Sequence, residues 1–128
     1  MDTIKKILIV DDNAETRKVL NCRLSSVQFS VLEAQDGPSA VALAKQEQPQ
    51  LILLDVIMPG QDGLQTYDVL RHDPSTKEIP IVFLSGLACN LPPRWMSTGG
   101  AENFWVVGKP YQSEQLMQII RKALGEAK

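Results

Sequence analysis

Polar side chains follow the apolar runs of this chain where strands would end. They are an acidic pair, a lone aspartate, a serine and a lysine: Asp11, Asp12, Asp55, Ser85 and Lys109. Three converging carboxylates repel one another and need positive charge, which a hard cation such as Mg²⁺ supplies. A lysine adds a mobile charge and a hydroxyl adds a donor. This set favours phosphoryl transfer, and a carboxylate can act as the nucleophile.

The elements that would position these residues are five apolar runs of strand length, alternating with longer segments of helical pattern. The runs cover residues 7–10, 29–32, 51–54, 79–84 and 104–107. The middle runs are apolar on both faces, as expected when helices cover both sides of a parallel sheet. The alternation predicts an α/β fold with a doubly wound sheet. In such a sheet, ligands bind beyond the carboxyl ends of the strands.

Helices are predicted over residues 14–25, from Gly37-Pro38 onward, over residues 63–71, and at the carboxyl end. The last of these begins after Ser113 and ends near Gly125, with apolar residues at helical spacing between them. Proline inside a helix removes a hydrogen bond and clashes with the preceding turn. Because Pro92 and Pro93 fall in the segment of the fourth of five helices, that helix is expected to be short or irregular.

The composition limits the other possibilities. With 128 residues, 44% of them hydrophobic and 22% charged, one globular domain over residues 1–128 is expected. The net charge of −2 and the absence of a polybasic stretch argue against direct binding to nucleic acid or an anionic membrane. No apolar run is long enough to span a membrane, and the first residues lack a signal-peptide pattern, so a cytoplasmic location is expected.

Each candidate residue also has an ordinary structural role when it is taken alone. Asp12 or Asn13 can cap the first helix, and an aspartate after a strand is often a turn residue. Ser85 can bond to backbone, and Lys109 can be a solvated surface charge. The coincidence of all these residues at one edge of the predicted sheet favours the chemical interpretation.

Four segments resemble the sequence blocks of bacterial response-regulator receiver domains. They are ILIVDDN at residues 7–13, LLDVIMPGQDG at 53–63, FLSG at 83–86 and KPY at 109–111. The resemblance extends over residues 7–124 and is to single-domain, chemotaxis-regulator-like members. It implies a flavodoxin-like fold with a five-stranded parallel sheet in the order 2-1-3-4-5.

The resemblance also implies a role for each site residue. Asp55 would be the phospho-acceptor. Asp12 and Asp55 would bind Mg²⁺ with the backbone carbonyl of Ile57, and Asp11 would assist directly or through water. Ser85 and Lys109 would each contact a phosphoryl oxygen.

The implied function is signalling by phosphorylation. A histidine kinase or a phosphotransfer protein would supply the phosphoryl group, and a conformational change would act on a downstream protein. The chain would assist its own phosphotransfer and dephosphorylation without being an enzyme in the ordinary sense.

The stretch before Lys109 departs from the family pattern because it is two residues longer. The usual switch aromatic lies three residues before the lysine, and that position holds Val106. Phe104 and Trp105 are therefore both candidates for a switch that would be coupled to Ser85.

Three alternatives remain at this stage. The altered switch region is compatible with an interaction module that has this fold but no working switch. A small phosphatase with an aspartate nucleophile would need an acidic residue where Ile57 lies. A dinucleotide-binding or P-loop enzyme would need a glycine fingerprint after the first strand, and neither fingerprint is present.

Overall fold

A computed structural model describes residues 5–26, 29–55, 63–85, 104–108 and 113–125. The described residues contain five strands and four helices. In chain order these are β1 (Lys6–Val10), α1 (Ala14–Ser26), β2 (Ser30–Ala34), α2 (Gly37–Glu47), β3 (Leu51–Asp55), α3 (Gly63–Arg71), β4 (Ile81–Ser85), β5 (Phe104–Gly108) and α4 (Ser113–Ala123). The additional helix expected around Pro92 and Pro93 lies outside the described residues.

The five strands form one parallel sheet in the order β2-β1-β3-β4-β5, which confirms the predicted order. Val10 of β1 lies beside Leu54 of β3, and Asp55 lies beside Leu84 of β4. Ser85 lies beside Gly108 at the end of β5. Because the strands are parallel, their carboxyl ends meet along one edge of the sheet, where the candidate residues were expected.

Two strands begin later than their apolar runs suggest, and in each case a local hydrogen bond explains the difference. The N–H of Phe29 donates back to the Leu24 carbonyl of α1 at 3.1 Å, so it is not given to the sheet. The N–H of Ile79 donates to the Thr76 carbonyl at 3.1 Å, and Pro80 has no N–H to give to a ladder. These strands therefore begin at Ser30 and Ile81.

Buried side chains form one cluster on each face of the sheet. Successive residues of a strand point to opposite faces, so the central strands supply both clusters. The cluster under α2 and α3 contains Leu8, Val10, Ala40, Ala44, Ile52, Leu54, Tyr67, Leu70, Ile81 and Phe83. The cluster under α1 and α4 contains Ile7, Ile9, Leu20, Leu24, Leu51, Leu53, Val82, Leu84, Val107, Leu116 and Ile120. The sheet is thus covered on both sides, as its apolar runs predict.

The ends of α2 follow standard capping chemistry. The Asp36 carboxylate accepts a hydrogen bond from the Ser39 N–H at 2.8 Å, with Pro38 in the first turn. This bonding lowers the pKa of Asp36 below its ordinary value. Gln48, in a left-handed conformation with φ of 50°, ends the helix.

The helices within the described ranges include none with the length and apolar character required to cross a bilayer.

Candidate functional site

Three carboxylates converge at the carboxyl edge of the sheet. Asp11, Asp12 and Asp55 each offer a carboxylate oxygen, and these oxygens lie within 4.8 Å of one another. Asp11 and Asp55 are buried, whereas Asp12 is exposed. The sequence predicted this convergence, although residues 11 and 55 are far apart along the chain.

The pairing of β1 with β3 brings the acidic residues together. Asp55 is the last residue of β3, and the acidic pair follows directly after β1. Since Val10 and Leu54 are paired, the residues that follow them emerge side by side from the sheet. Both strands are buried along their apolar lengths, so their ends are fixed by the core.

Asp11 is held in place through three of its own groups. Its N–H donates to the Ala34 carbonyl at 3.1 Å, which extends the pairing of β1 with β2 by one residue. Its carboxylate Oδ1 accepts the N–H of Asn13 at 2.9 Å. Its backbone carbonyl accepts from Nη1 of Arg17 at 2.6 Å. The turn that carries the acidic pair is therefore bonded to β2 on one side and to α1 on the other.

Asn13 caps helix α1. Its Oδ1 accepts the N–H groups of Glu15 and Thr16 at 2.8 and 3.1 Å. These bonds satisfy two of the amides that every helix leaves without a partner in its first turn. The sequence left Asp12 and Asn13 as alternative caps, and the structure assigns the role to Asn13. The carboxylate of Asp12 accordingly lies with the acidic cluster instead of folding back on the helix.

Arg17, Asn21 and Glu33 form a polar network next to the Asp11–Asp12 turn, which was not predicted from the sequence. Nε of Arg17 lies 3.1 Å from Oε1 of Glu33 on β2, and Nδ2 of Asn21 donates to Oε2 of the same carboxylate at 2.7 Å. Arg17 and Asn21 are four residues apart on α1, as are Leu20 and Leu24, which face the core. That repeated spacing was the signal for a second stripe on this helix, which faces β2.

The other candidate residues are placed only in part. Ser85 ends β4, next to the strand that carries Asp55, so its backbone reaches the same edge. Phe104 and Trp105 both lie in β5, and the partly buried side chain of Trp105 packs against the cluster under α1 and α4. Ile57 and Lys109 lie outside the described residues.

The donor set of the acidic cluster is suited to a hard divalent cation. Carboxylate oxygens are the ligands that Mg²⁺ prefers, and it commonly keeps several waters besides one or two carboxylates. Buried Asp11 and Asp55 provide fixed donors, while exposed Asp12 leaves one side of the cluster open to solvent. The residues present therefore fit such an ion.

Comparison with known proteins points to one family. A family model described as the response regulator receiver domain matches residues 7–121. The protein PilH of Pseudomonas aeruginosa is 34% identical over 119 residues, which are 93% of this chain and 97% of PilH. The response regulator PleD of Caulobacter vibrioides is 42% identical over 82 residues, which are 64% of this chain but only 18% of PleD.

A solved structure extends the likeness to the fold. The receiver domain of the sensor histidine kinase PA1611 from Pseudomonas aeruginosa has a TM-score of 0.82 and 26% sequence identity, covering 96% of this chain and 99% of that domain. That structure holds a magnesium ion coordinated in its active-site cleft. With its strand order, its acidic cluster and the match over residues 7–121, this chain belongs to the response regulator receiver domain family.

Proposed function

We propose that residues 1–128 form a receiver domain in which Asp55 accepts a phosphoryl group in the presence of Mg²⁺. The observation that carries this proposal is the convergence of the Asp11, Asp12 and Asp55 carboxylates in a chain of this family. Asp12 and Asp55, with the backbone carbonyl of Ile57, would hold the cation, and Asp11 would assist. When bound, the ion neutralises charge on the carboxylates and on the phosphoryl oxygens.

The proposed reaction transfers a phosphoryl group from an imidazole nitrogen of the donor to a carboxylate oxygen of Asp55. A carboxylate oxygen of Asp55 forms the new bond to phosphorus, and the bond from phosphorus to the imidazole nitrogen of a phosphohistidine donor breaks. The electron pair of the broken bond returns to the imidazole. Asp55 ends a strand that is buried along its whole length, so little reorganisation precedes the attack. Ser85 would donate to one phosphoryl oxygen, and the charge of Lys109 would pair with another.

The donor would be a histidine kinase or a phosphotransfer protein, and the output a conformational change read by a downstream protein. Receiver domains of histidine kinases are among the similar structures, which supports a place in two-component signalling. The aromatic that responds to phosphorylation would be Trp105 or Phe104, both of them in β5. The chain would assist its own dephosphorylation in the cytoplasm, without direct contact with nucleic acid or membrane.

The test is phosphorylation by a small donor. The protein is incubated with acetyl phosphate and Mg²⁺, and its intact mass is measured over time. We expect the gain of one phosphoryl group in the wild type and none in Asp55→Asn. Asp68→Asn, an exposed carboxylate on α3, serves as the matched control and should behave as the wild type. Equal labelling of Asp55→Asn would contradict the assignment, and no labelling of any variant would favour an interaction module without a switch.

A further inference from the structure

We infer that Arg17, held by Glu33 and Asn21, is a positioning residue of the cation site. These three residues form what we call the Arg17 tether. The inference rests on the proposed function, because it concerns how the Asp11–Asp12 turn is kept ready for Mg²⁺. Arg17 does not contact the cation or the phosphoryl group in this scheme; it acts on the backbone that carries the ligands.

The Arg17 tether contacts the Asp11–Asp12 turn through a charge-assisted hydrogen bond to the backbone of Asp11. Nη1 of Arg17 donates to the Asp11 carbonyl at 2.6 Å, while Nε of the same guanidinium faces Oε1 of Glu33 at 3.1 Å. The arginine side chain is only 15% exposed. A planar fork with fixed donor directions can make both contacts at once, which a lysine ammonium does less well.

The Glu33 carboxylate is itself restrained by hydrogen bonds, and it therefore restrains the guanidinium of Arg17. Its second oxygen accepts from Nδ2 of Asn21, and Oδ1 of Asn21 in turn accepts from the hydroxyl of Ser25. Arg17, Asn21 and Ser25 are each four residues apart and lie along one stripe of α1. The backbone of Glu33 belongs to β2, which is paired with β1. The tether thus ties the turn to both the helix after it and the strand beside it.

Electrostatics and positioning predict opposite effects on Mg²⁺ affinity when Arg17 is removed, and this makes the inference testable. The guanidinium of Arg17, bonded to the Asp11 carbonyl, adds positive charge next to the cation site, so its loss should tighten Mg²⁺ binding if charge were all that mattered. Positioning predicts weaker binding instead. Replacing a residue that orients a metal ligand without touching the metal typically lowers the affinity for the metal about 10- to 100-fold.

The experiment is a Mg²⁺ titration followed by amide chemical shifts in Arg17→Lys, Arg17→Gln, Glu33→Gln and Asn21→Ala. Arg23→Gln, at an exposed position in the last turn of α1, is the matched control. We expect the affinity for Mg²⁺ to fall about 10-fold in Arg17→Lys, because lysine keeps the positive charge but lacks the planar guanidinium that makes both contacts. Arg17→Gln should also bind Mg²⁺ more weakly than the wild type, and the double variant Arg17→Gln/Glu33→Gln should bind no more weakly than Arg17→Gln, because the Arg17–Glu33 contact is already lost in that single variant. Unchanged or tighter binding in Arg17→Lys would overturn the inference.

A second measurement is made without metal. Amide hydrogen exchange of Asn13, whose N–H is bonded to the Asp11 carboxylate, should accelerate in Arg17→Lys and Asn21→Ala. Exchange of Leu53 in the buried strand β3 serves as the internal reference for global stability. Equal protection of Asn13 in wild type and Arg17→Lys would contradict the tether. If the wild type failed to bind Mg²⁺, the proposed function would fail, while this exchange experiment would still decide whether Arg17 holds the turn.

Discussion

At the scale of single residues, the acidic cluster brings three carboxylates close together in the folded state. Like charges within 4.8 Å destabilise the folded state when no cation is bound. We therefore expect Asp12→Asn to be more stable than the wild type in the presence of a chelator, by on the order of 1 kcal/mol. Urea unfolding gives the free energy, and Asp68→Asn is the control. A variant no more stable than the wild type would show that the cluster is not under repulsion.

The lifetime of the phosphorylated state is a second property that single residues are expected to set. Hydrolysis of an acyl phosphate needs a water in line with phosphorus, and a polar side chain near the site can hold one. Ile57 follows Asp55 by two residues in the sequence and offers no hydrogen-bonding group. We expect Ile57→Asn to lose its phosphoryl group faster than the wild type, with Ile57→Leu as the control. The measurement is the decay of phosphoprotein at constant Mg²⁺ after donor removal, and equal decay rates would exclude this role for position 57.

At the scale of elements, α1 is anchored by its buried stripe as well as by the Arg17 tether. Leu20 is 1% exposed in the core, whereas its neighbour Val19 is 54% exposed. We expect Leu20→Ala to lower the free energy of unfolding by about 2–5 kcal/mol, through lost burial and the cavity that remains. Val19→Ala should change it by less than about 0.5 kcal/mol. Urea unfolding of the two variants compares them directly, and similar costs would mean that α1 is not docked as described.

The contact between α2 and the turn after α3 gives a pH-dependent contribution to stability. Hydrogen bonds from the side chain and backbone of Ser75, together with Lys45 at 3.0 Å, lower the pKa of Asp73 from 3.8 to about 2. Because the folded-state pKa is the lower one, this contribution is complete above the unfolded value and is lost as the pH falls towards about 2.

We therefore expect Asp73→Asn to be less stable than the wild type at pH 6, and the difference to shrink as the pH falls from about 4 to about 2. Urea midpoints measured across this range test the prediction, with Asp68→Asn as the control. A difference that is constant with pH would assign the effect to lost geometry and not to lost charge.

The elements were largely predictable from the sequence, whereas their side-chain partners were not. Apolar runs and helical spacing placed the strands and the starts of the helices to within about two residues. The acidic residues at strand ends located the edge of the site. The shifts of β2 and β4 came from single hydrogen bonds made by Phe29 and Ile79, which periodicity does not encode. The pairing of Arg17 with Glu33 joins a helix to a neighbouring strand, and only the packed structure brings them together.

At the scale of the whole molecule, a cation bound at the acidic cluster would stabilise the fold. An ion that binds only the folded state stabilises it by about 2.7 kcal/mol when its concentration is about 100 times its dissociation constant. We expect the melting temperature of the wild type to rise with Mg²⁺, and that of Asp12→Ala to remain constant over the same range. Differential scanning fluorimetry measures both, with Na⁺ at equal ionic strength as the control. A rise of equal size in Asp12→Ala would place the stabilising ion elsewhere.

The strand order also decides which parts of the sheet can open locally. β2 and β5 are the edge strands and each pairs with one neighbour, whereas β1, β3 and β4 are paired on both sides. Separating an edge strand breaks one ladder of hydrogen bonds, whereas separating an inner strand breaks two. We therefore expect the edge that carries Trp105 to open at a lower free-energy cost than β1 and β3, whose ends position Asp11 and Asp55.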